Sequence, residues 1–318
     1  MNGSATSTRL AMVFPGQGSQ SVGMLAALAD QFSEVQSVFD RASSVLGYDL
    51  WQRVQNGPAE LLNKTVCTQP AMLSAGVAVW RCWQASSGRE PAVMAGHSLG
   101  EYTALVCADA LDFADAVALV TKRAEYMQGA VPEGSGAMAA VLGLADDDVV
   151  ALCERAAESE VVSAANFNSP GQVVIAGDSA AVQRAMQLAR EAGAKRVLPL
   201  PVSVPSHCSL MRPAAQAFAE DVASVSLRAP QIPILHNVDV DSHQDPDAIR
   251  EALVQQLHSP VRWVETIRAV QARGIDTVLE MGPGKVLVNL NKRIDKSLSA
   301  LPVQTPQDLS DALAASRA

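Results

Sequence analysis

The segment Gly96-His97-Ser98-Leu99-Gly100 sets a serine between two glycines. It follows a short apolar run at 91–95 that predicts a strand, and it precedes a helix-like stretch at 101–107. G-x-S-x-G gains chemical meaning in such a strand–turn–helix setting. The glycines permit a sharp turn that lifts the Ser98 hydroxyl clear of the sheet edge. The helix start leaves N–H groups without internal partners, and these can stabilise a developing oxyanion. The plainer alternative is a glycine-rich turn whose serine only caps the helix.

A nucleophilic serine needs a base. The chain has five histidines, at 97, 207, 236, 243 and 258. His97 adjoins the serine, but neighbouring side chains on a turn usually diverge. His207 lies in Pro205-Ser206-His207-Cys208, a plausible cleft wall, and reads equally well as a capping or surface histidine. No acid is obviously poised to orient it. In Gln256-Leu257-His258-Ser259-Pro260, however, the proline should end the preceding helix and leave its last carbonyls unpaired. Such a carbonyl can accept an imidazole N–H, so an aspartate is not required.

Arg123 stands out next. In the helix-like run 113–128, Ala116, Val120, Arg123 and Met127 fall on one stripe, which turns the arginine inward. An inward guanidinium needs an anion, either an internal Asp or Glu or a substrate carboxylate, and on residue type alone the internal pair is commoner.

Other motifs fail on inspection. Gly16-Gln17-Gly18 lacks the third glycine of a dinucleotide fingerprint, with Ser21 in its place. Gly282-Pro283-Gly284-Lys285 is followed by Val286, and Leu279 sits where a phosphate-binding loop needs its first glycine. The five cysteines are scattered and contain no C-x-x-C pair, so neither a disulfide framework nor a zinc site is expected. Cys107 and Cys208 read as small buried residues rather than nucleophiles.

The elements that must position these residues belong to a chain of 318 residues, 48% hydrophobic and 18% charged, as expected for a soluble globular protein. Lys plus Arg is 24 against 33 Asp plus Glu, a balance of −9, so no global basic footprint for nucleic acid exists. The apolar stretch at 10–14 is too short for a signal peptide, and no apolar run reaches membrane-spanning length. A cytoplasmic location is the expectation.

Strands alternating with helices predict an α/β body with a mostly parallel sheet, including a strand at 9–14 and a strand–glycine turn–helix unit near 275–284. The middle has another rhythm: strand 136–142, helix 145–157, strands 161–165 and 172–176, helix 179–192 and strand 195–200. This β-α-β-β-α-β order is the ferredoxin-like pattern. It predicts a small domain at 131–204 inserted into a large discontinuous domain of 1–130 and 205–318.

Taken together, five motifs strongly resemble the bacterial malonyl-CoA:acyl carrier protein transacylases. They are Phe14-Pro15-Gly16-Gln17-Gly18-Ser19-Gln20, Gly96 to Tyr102, Asn166-Phe167-Asn168-Ser169-Pro170-Gly171-Gln172, Pro201-Val202-Ser203-Val204-Pro205-Ser206-His207, and Gly282 to Lys285. The similarity runs from about Leu10 to beyond Lys292. It implies a large α/β-hydrolase-like domain interrupted by a ferredoxin-like one, with the active site between them. It further implies Ser98 as acyl-accepting nucleophile, His207 as base, and the Gln256 carbonyl as the group orienting that base. Gln17 and Leu99 would supply the oxyanion-hole N–H groups, and Arg123 would pair with the malonyl carboxylate. Asn166, Gln172, Lys195 and Arg196 would contact coenzyme A or the carrier.

The implied reaction is ping-pong malonyl transfer from malonyl-CoA to the phosphopantetheine thiol of holo acyl carrier protein, in fatty acid synthesis. It calls for no cofactor or metal, no membrane, and a monomer. A malonate decarboxylase or polyketide transacylase would share the chemistry and differ in the carrier. A plain serine hydrolase or thioesterase is disfavoured by inward Arg123 and the missing C-terminal catalytic histidine. A non-catalytic scaffold is disfavoured by the joint presence of Ser98, His207 and Arg123. Because such carriers are acidic and this chain is too, positive charge must concentrate at the gorge mouth; Lys195, Arg196, Lys285, Lys292 and Arg293 are the expected patch.

Overall fold

The structure is a computed structural model that describes residues 9–202 and 204–317. Ser203 of the Pro201 to His207 motif and the polar N-terminal residues 1–8 lie outside the described residues.

Two sheets organise the chain. The larger joins β1 (Leu10–Phe14), β2 (Val93–Gly96), β7 (Ile234–Leu235), β8 (Thr277–Met281) and β9 (Ser299–Val303) in the order β7-β2-β1-β8-β9. All of its pairings are parallel. Alternating residues of β1 serve two cores: Leu10, Met12 and Phe14 join one apolar cluster, Ala11 and Val13 the other. A strand apolar on both faces is what a parallel sheet covered by helices on both sides requires.

The smaller sheet contains β3 (Gly136–Leu142), β4 (Val162–Ser169), β5 (Gln172–Asp178) and β6 (Arg196–Pro199) in the order β4-β5-β3-β6. Every pairing is antiparallel, and helices Asp146–Ala157 and Ser179–Glu191 separate its strands in the sequence. It has its own apolar cluster. β4 runs four residues beyond the expected end at 165, and its register shifts between Ala164 and Asn166 and again between Phe167 and Ser169. Such bulges kink a strand and re-aim its side chains.

The small sheet is tied to the segment just ahead of helix Trp263–Ala272. Phe167 N–H donates to the Val261 carbonyl at 2.9 Å, and Val261 N–H donates to the Ala165 carbonyl at 2.9 Å. Among the described residues no helix is long and apolar enough to cross a membrane, and no group of three or more His, Cys, Asp or Glu is disposed to hold a metal.

Candidate active site

The parallel register aligns the ends of β1, β2 and β8, with Phe14 beside Gly96 and Val13 beside Glu280. The loops that follow these strands therefore converge, as ligand-binding loops do at a switch point of an α/β sheet. Their approach is close enough to demand glycine. A Cβ at Gly96 would lie 1.8 Å from the Gly100 carbonyl carbon, one at Gly100 would lie 2.0 Å from the Phe14 oxygen, and one at Gly16 would lie 2.6 Å from the His97 oxygen. The glycines flanking Ser98 thus press the turn onto the end of β1 and bring the Gln17 loop beside it.

Ser98 occupies the left-handed region at φ 51°, a conformation that costs a non-glycine residue about 1–3 kcal/mol. Its backbone is held on both sides. Asn237 Oδ1 accepts from Ser98 N–H at 2.7 Å, and Gln256 Nε2 donates to the Ser98 carbonyl at 3.1 Å. The turn ends in helix Gly100–Cys107, whose first residues bond back to the turn: Gly100 N–H to the His97 carbonyl and Glu101 N–H to the Ser98 carbonyl. Leu99 caps this helix, with its N–H among the orphan groups of a helix start.

The Ser98 hydroxyl lies 2.8 Å from His207 Nε2. His207 Nδ1 lies 2.8 Å from the Gln256 backbone carbonyl, at the end of helix Pro246–Gln256. Because a carbonyl only accepts, it fixes the proton on Nδ1 and leaves Nε2 free to accept the serine proton. Burial first, then the nearby Arg123 guanidinium, pushes the His207 pKa down to about 3, so the imidazole is neutral at physiological pH.

Arg123 projects from helix Phe113–Gly129 and is 1% exposed. The internal acid that residue type alone favours is not among its hydrogen-bond partners. Nη1 donates to Gln69 Oε1 at 3.0 Å, and Nη2 donates to Gln256 Oε1 at 2.9 Å and to Ser98 Oγ at 3.2 Å. Its guanidinium carbon sits 5.4 Å from the centre of the Tyr102 ring, and Nε has no hydrogen-bond partner. A buried cation held by neutral groups next to a reactive hydroxyl is an open receptor for an anion.

Ser98, His207, Arg123, Gln17, Leu99 and Asn166 all line one cavity of about 140 Å³. Met127, Met138, Leu200, Val202 and Val204 give it apolar walls. Gln256 lies behind this lining and acts through its contacts. Gln172, Lys195 and Arg196 stand apart from the cavity: Gln172 and Arg196 pair with Leu142 from opposite sides, and Lys195 N–H donates to the Leu142 carbonyl. Gln172 Oε1 also accepts from Arg293 Nη1 at 2.8 Å, which brings one residue of the expected patch to the small sheet. His97 turns away from the serine, with Nε2 2.8 Å from Asn168 Oδ1.

Sequence reading gave no role to Gln69, Glu101, His236 or Asn237. Glu101 follows the second glycine of the serine turn directly, so a charge at a position that a helix buries was the available signal. Gln69 lies in helix Thr65–Ala85, apolar nearly all round, where a polar side chain next to Pro70 is conspicuous. His236 and Asn237 follow the two-residue strand β7, too short to announce itself.

A model described as "Acyl transferase domain" matches residues 11–308. The malonyl CoA-acyl carrier protein transacylase of Salmonella typhimurium is 56% identical over 96% of this chain and 99% of its own length. That of Bacillus subtilis is 42% identical over 96% of each. Among solved structures, the Coxiella burnetii malonyl CoA-acyl carrier protein transacylase superposes with a TM-score of 0.97 at 51% identity, covering 98% of this chain and 99% of that one. A malonyl-transacylase in complex with a type II PKS acyl-carrier protein gives 0.96 at 54% identity, covering 97% of this chain and 100% of that one. With nearly all of its length matched in sequence and in shape, the chain belongs to the acyl transferase domain family and, within it, to the malonyl CoA-acyl carrier protein transacylases.

Proposed function

We propose that this protein moves a malonyl group from malonyl-CoA to the phosphopantetheine thiol of an acyl carrier protein, through an ester on Ser98, in fatty acid synthesis. The observation that carries the reading is Arg123: a fully buried guanidinium with no carboxylate partner, 3.2 Å from the Ser98 hydroxyl. A malonyl carboxylate satisfies it, whereas an acetyl group leaves the cation unpaired.

In the first half-reaction His207 Nε2 takes the Ser98 proton as Oγ attacks the thioester carbonyl. The backbone N–H groups of Gln17 and Leu99 stabilise the tetrahedral oxyanion. Collapse breaks the C–S bond, and the proton on His207 passes to the leaving coenzyme A sulfur. In the second half the carrier thiol gives its proton to His207 and attacks the ester, and Ser98 leaves as the hydroxyl. The Gln256 carbonyl orients the imidazole in both halves and supports the imidazolium. The malonyl carboxylate also assists the base: by neutralising Arg123 it removes one of the charges that depress the His207 pKa. Bond making and breaking balance without a cofactor.

The same reading assigns 1–130 and 205–318 to an α/β-hydrolase-like catalytic domain and 131–204 to a ferredoxin-like one, supported by the antiparallel order β4-β5-β3-β6. Asn166 on the cavity wall, with Gln172, Lys195 and Arg196 on the small sheet, would receive coenzyme A or the carrier. The enzyme would act as a cytoplasmic monomer. Brief exposure to malonyl-CoA should add one malonyl mass to the intact protein, and Ser98→Ala should abolish the addition. Equal labelling of that variant would defeat the nucleophile assignment, and rapid hydrolysis without transfer to holo carrier would favour a hydrolase.

A further inference from the structure

Beneath the serine turn lies a polar layer that contributes nothing to the cavity lining. Glu101, His236 and Gln256 are fully buried, and Asn237 nearly so. A buried carboxylate persists only where its lone pairs are met. Glu101 Oε1 accepts from His236 Nδ1 at 2.7 Å, and Oε2 accepts from Asn237 N–H at 3.0 Å and from Gln256 Nε2 at 2.8 Å. Because the carboxylate only accepts, His236 must carry its proton on Nδ1.

The same logic fixes the Gln256 amide. Its Nε2 faces two acceptors, Glu101 Oε2 and the Ser98 carbonyl, while its Oε1 faces the donor-only Arg123. A flipped amide would set NH₂ against guanidinium and oxygen against carboxylate. Asn237 is fixed likewise: Nδ2 donates to the Gly96 carbonyl at 2.6 Å, so Oδ1 is the atom left for Ser98 N–H. The two residues gripping the backbone of Ser98 therefore both rest on one carboxylate oxygen, Gln256 through its side-chain amide and Asn237 through its backbone N–H.

We propose that Glu101, oriented by His236, is a positioning residue for the acyl-transfer site: through Asn237 and Gln256 it clamps Ser98 in its left-handed conformation and aims the hydroxyl between His207 and Arg123. Glu101 touches no substrate; it acts by holding the Asn237 backbone N–H and the Gln256 amide. The inference rests on the Ser98–His207 reading but not on the identity of the acyl group.

A neutral fluorophosphonate separates the two, because it reports Ser98 reactivity without using Arg123 recognition. Glu101→Ala should slow phosphonylation of Ser98 by roughly a hundredfold, the scale of a misplacement of about 1 Å. Glu101→Gln should recover most of that loss, since its Oε1 can still accept from Asn237 and Gln256 while its NH₂ donates to Nδ1 of a neutral His236 whose proton has moved to Nε2. Far-UV circular dichroism and thermal melting check folding. If Glu101→Ala does not fold, Asn237→Ala, which cuts one clamp and leaves Glu101 paired with His236, takes its place with the same expected slowing. A folded Glu101→Ala or Asn237→Ala protein labelled at the unaltered rate overturns the proposal, as does a Glu101→Gln protein as slow as Glu101→Ala. Failure of the unaltered protein to accept malonyl would instead refute the acyl-group reading and leave the phosphonylation rates to judge Glu101.

Discussion

The floor and the far wall of the cavity are built on opposite principles. Under Ser98, Glu101 at the start of helix Gly100–Cys107, Asn237 just after β7 and Gln256 at the end of helix Pro246–Gln256 are interlocked, each polar contact dictating the next. Across the cavity, the small sheet offers Met138 and Asn166, with Leu200 and Val202 just beyond β6, a strand left largely uncovered. The floor tolerates no displacement because bond-making geometry is set there. The wall needs only shape, a few amides and nearby charge, which suits a surface that must receive and release two different thiols.

Changes to the floor should accordingly cost far more than changes to the wall. His207→Ala should slow acylation by about 10²–10⁴-fold in stopped-flow release of coenzyme A, and near-normal kinetics would remove it as base. Arg123→Ala should lose about 3 kcal/mol of malonyl transition-state binding, near a hundredfold, as expected for truncating one partner of a buried charge pair. Its acetyl-CoA reaction should fall much less, since loss of the cation also leaves His207 more basic; equal losses on both donors would contradict the carboxylate role.

The pH profile tests the floor without mutation. With the His207 pKa near 3, acylation should stay flat between about pH 5 and 8, whereas an inflection near 6.5 would mark an ordinary solvated imidazole. The folded value lies below the unfolded one, so between them the unfolded chain binds more protons. The histidine's contribution therefore falls as pH drops through this window and is complete above it, which urea unfolding at a series of pH values would reveal. The smallest effect belongs to the wall: Lys195→Glu with Arg196→Glu should raise the carrier KM several-fold, less so at high salt, and disturb self-acylation less. A larger loss there than at the floor would invert the contrast.

Part of the site is legible in the sequence. The serine turn, the inward Arg123 and the β-α-β-β-α-β rhythm follow from spacing, which is a local property. Helix Pro246–Gln256 ends where Pro260 led one to expect, and its last carbonyl meets an imidazole. The choice of His207 over His97 and His258 was open on residues alone, because nothing local says which ring the fold carries to Ser98, 109 residues away. Glu101 with His236 spans 135 residues and Gln69 with Arg123 spans 54, so periodicity could not find either pair. β7 has two residues, and the extension of β4 past 165 depends on a bulge that preference for extended backbone does not encode.

The backbone bonds between Val261 and the Ala165–Phe167 stretch bear on how such an enzyme can be re-engineered. They stitch the small antiparallel sheet to the segment ahead of helix Trp263–Ala272 beside Asn166, so that sheet is not a free cassette. A chimera that exchanges residues 131–204 for a relative's, hoping to inherit its carrier preference, would have to bring a compatible partner for 261 along with it. Otherwise the graft would meet its host at the two chain crossings but lose the seam nearest the chemistry.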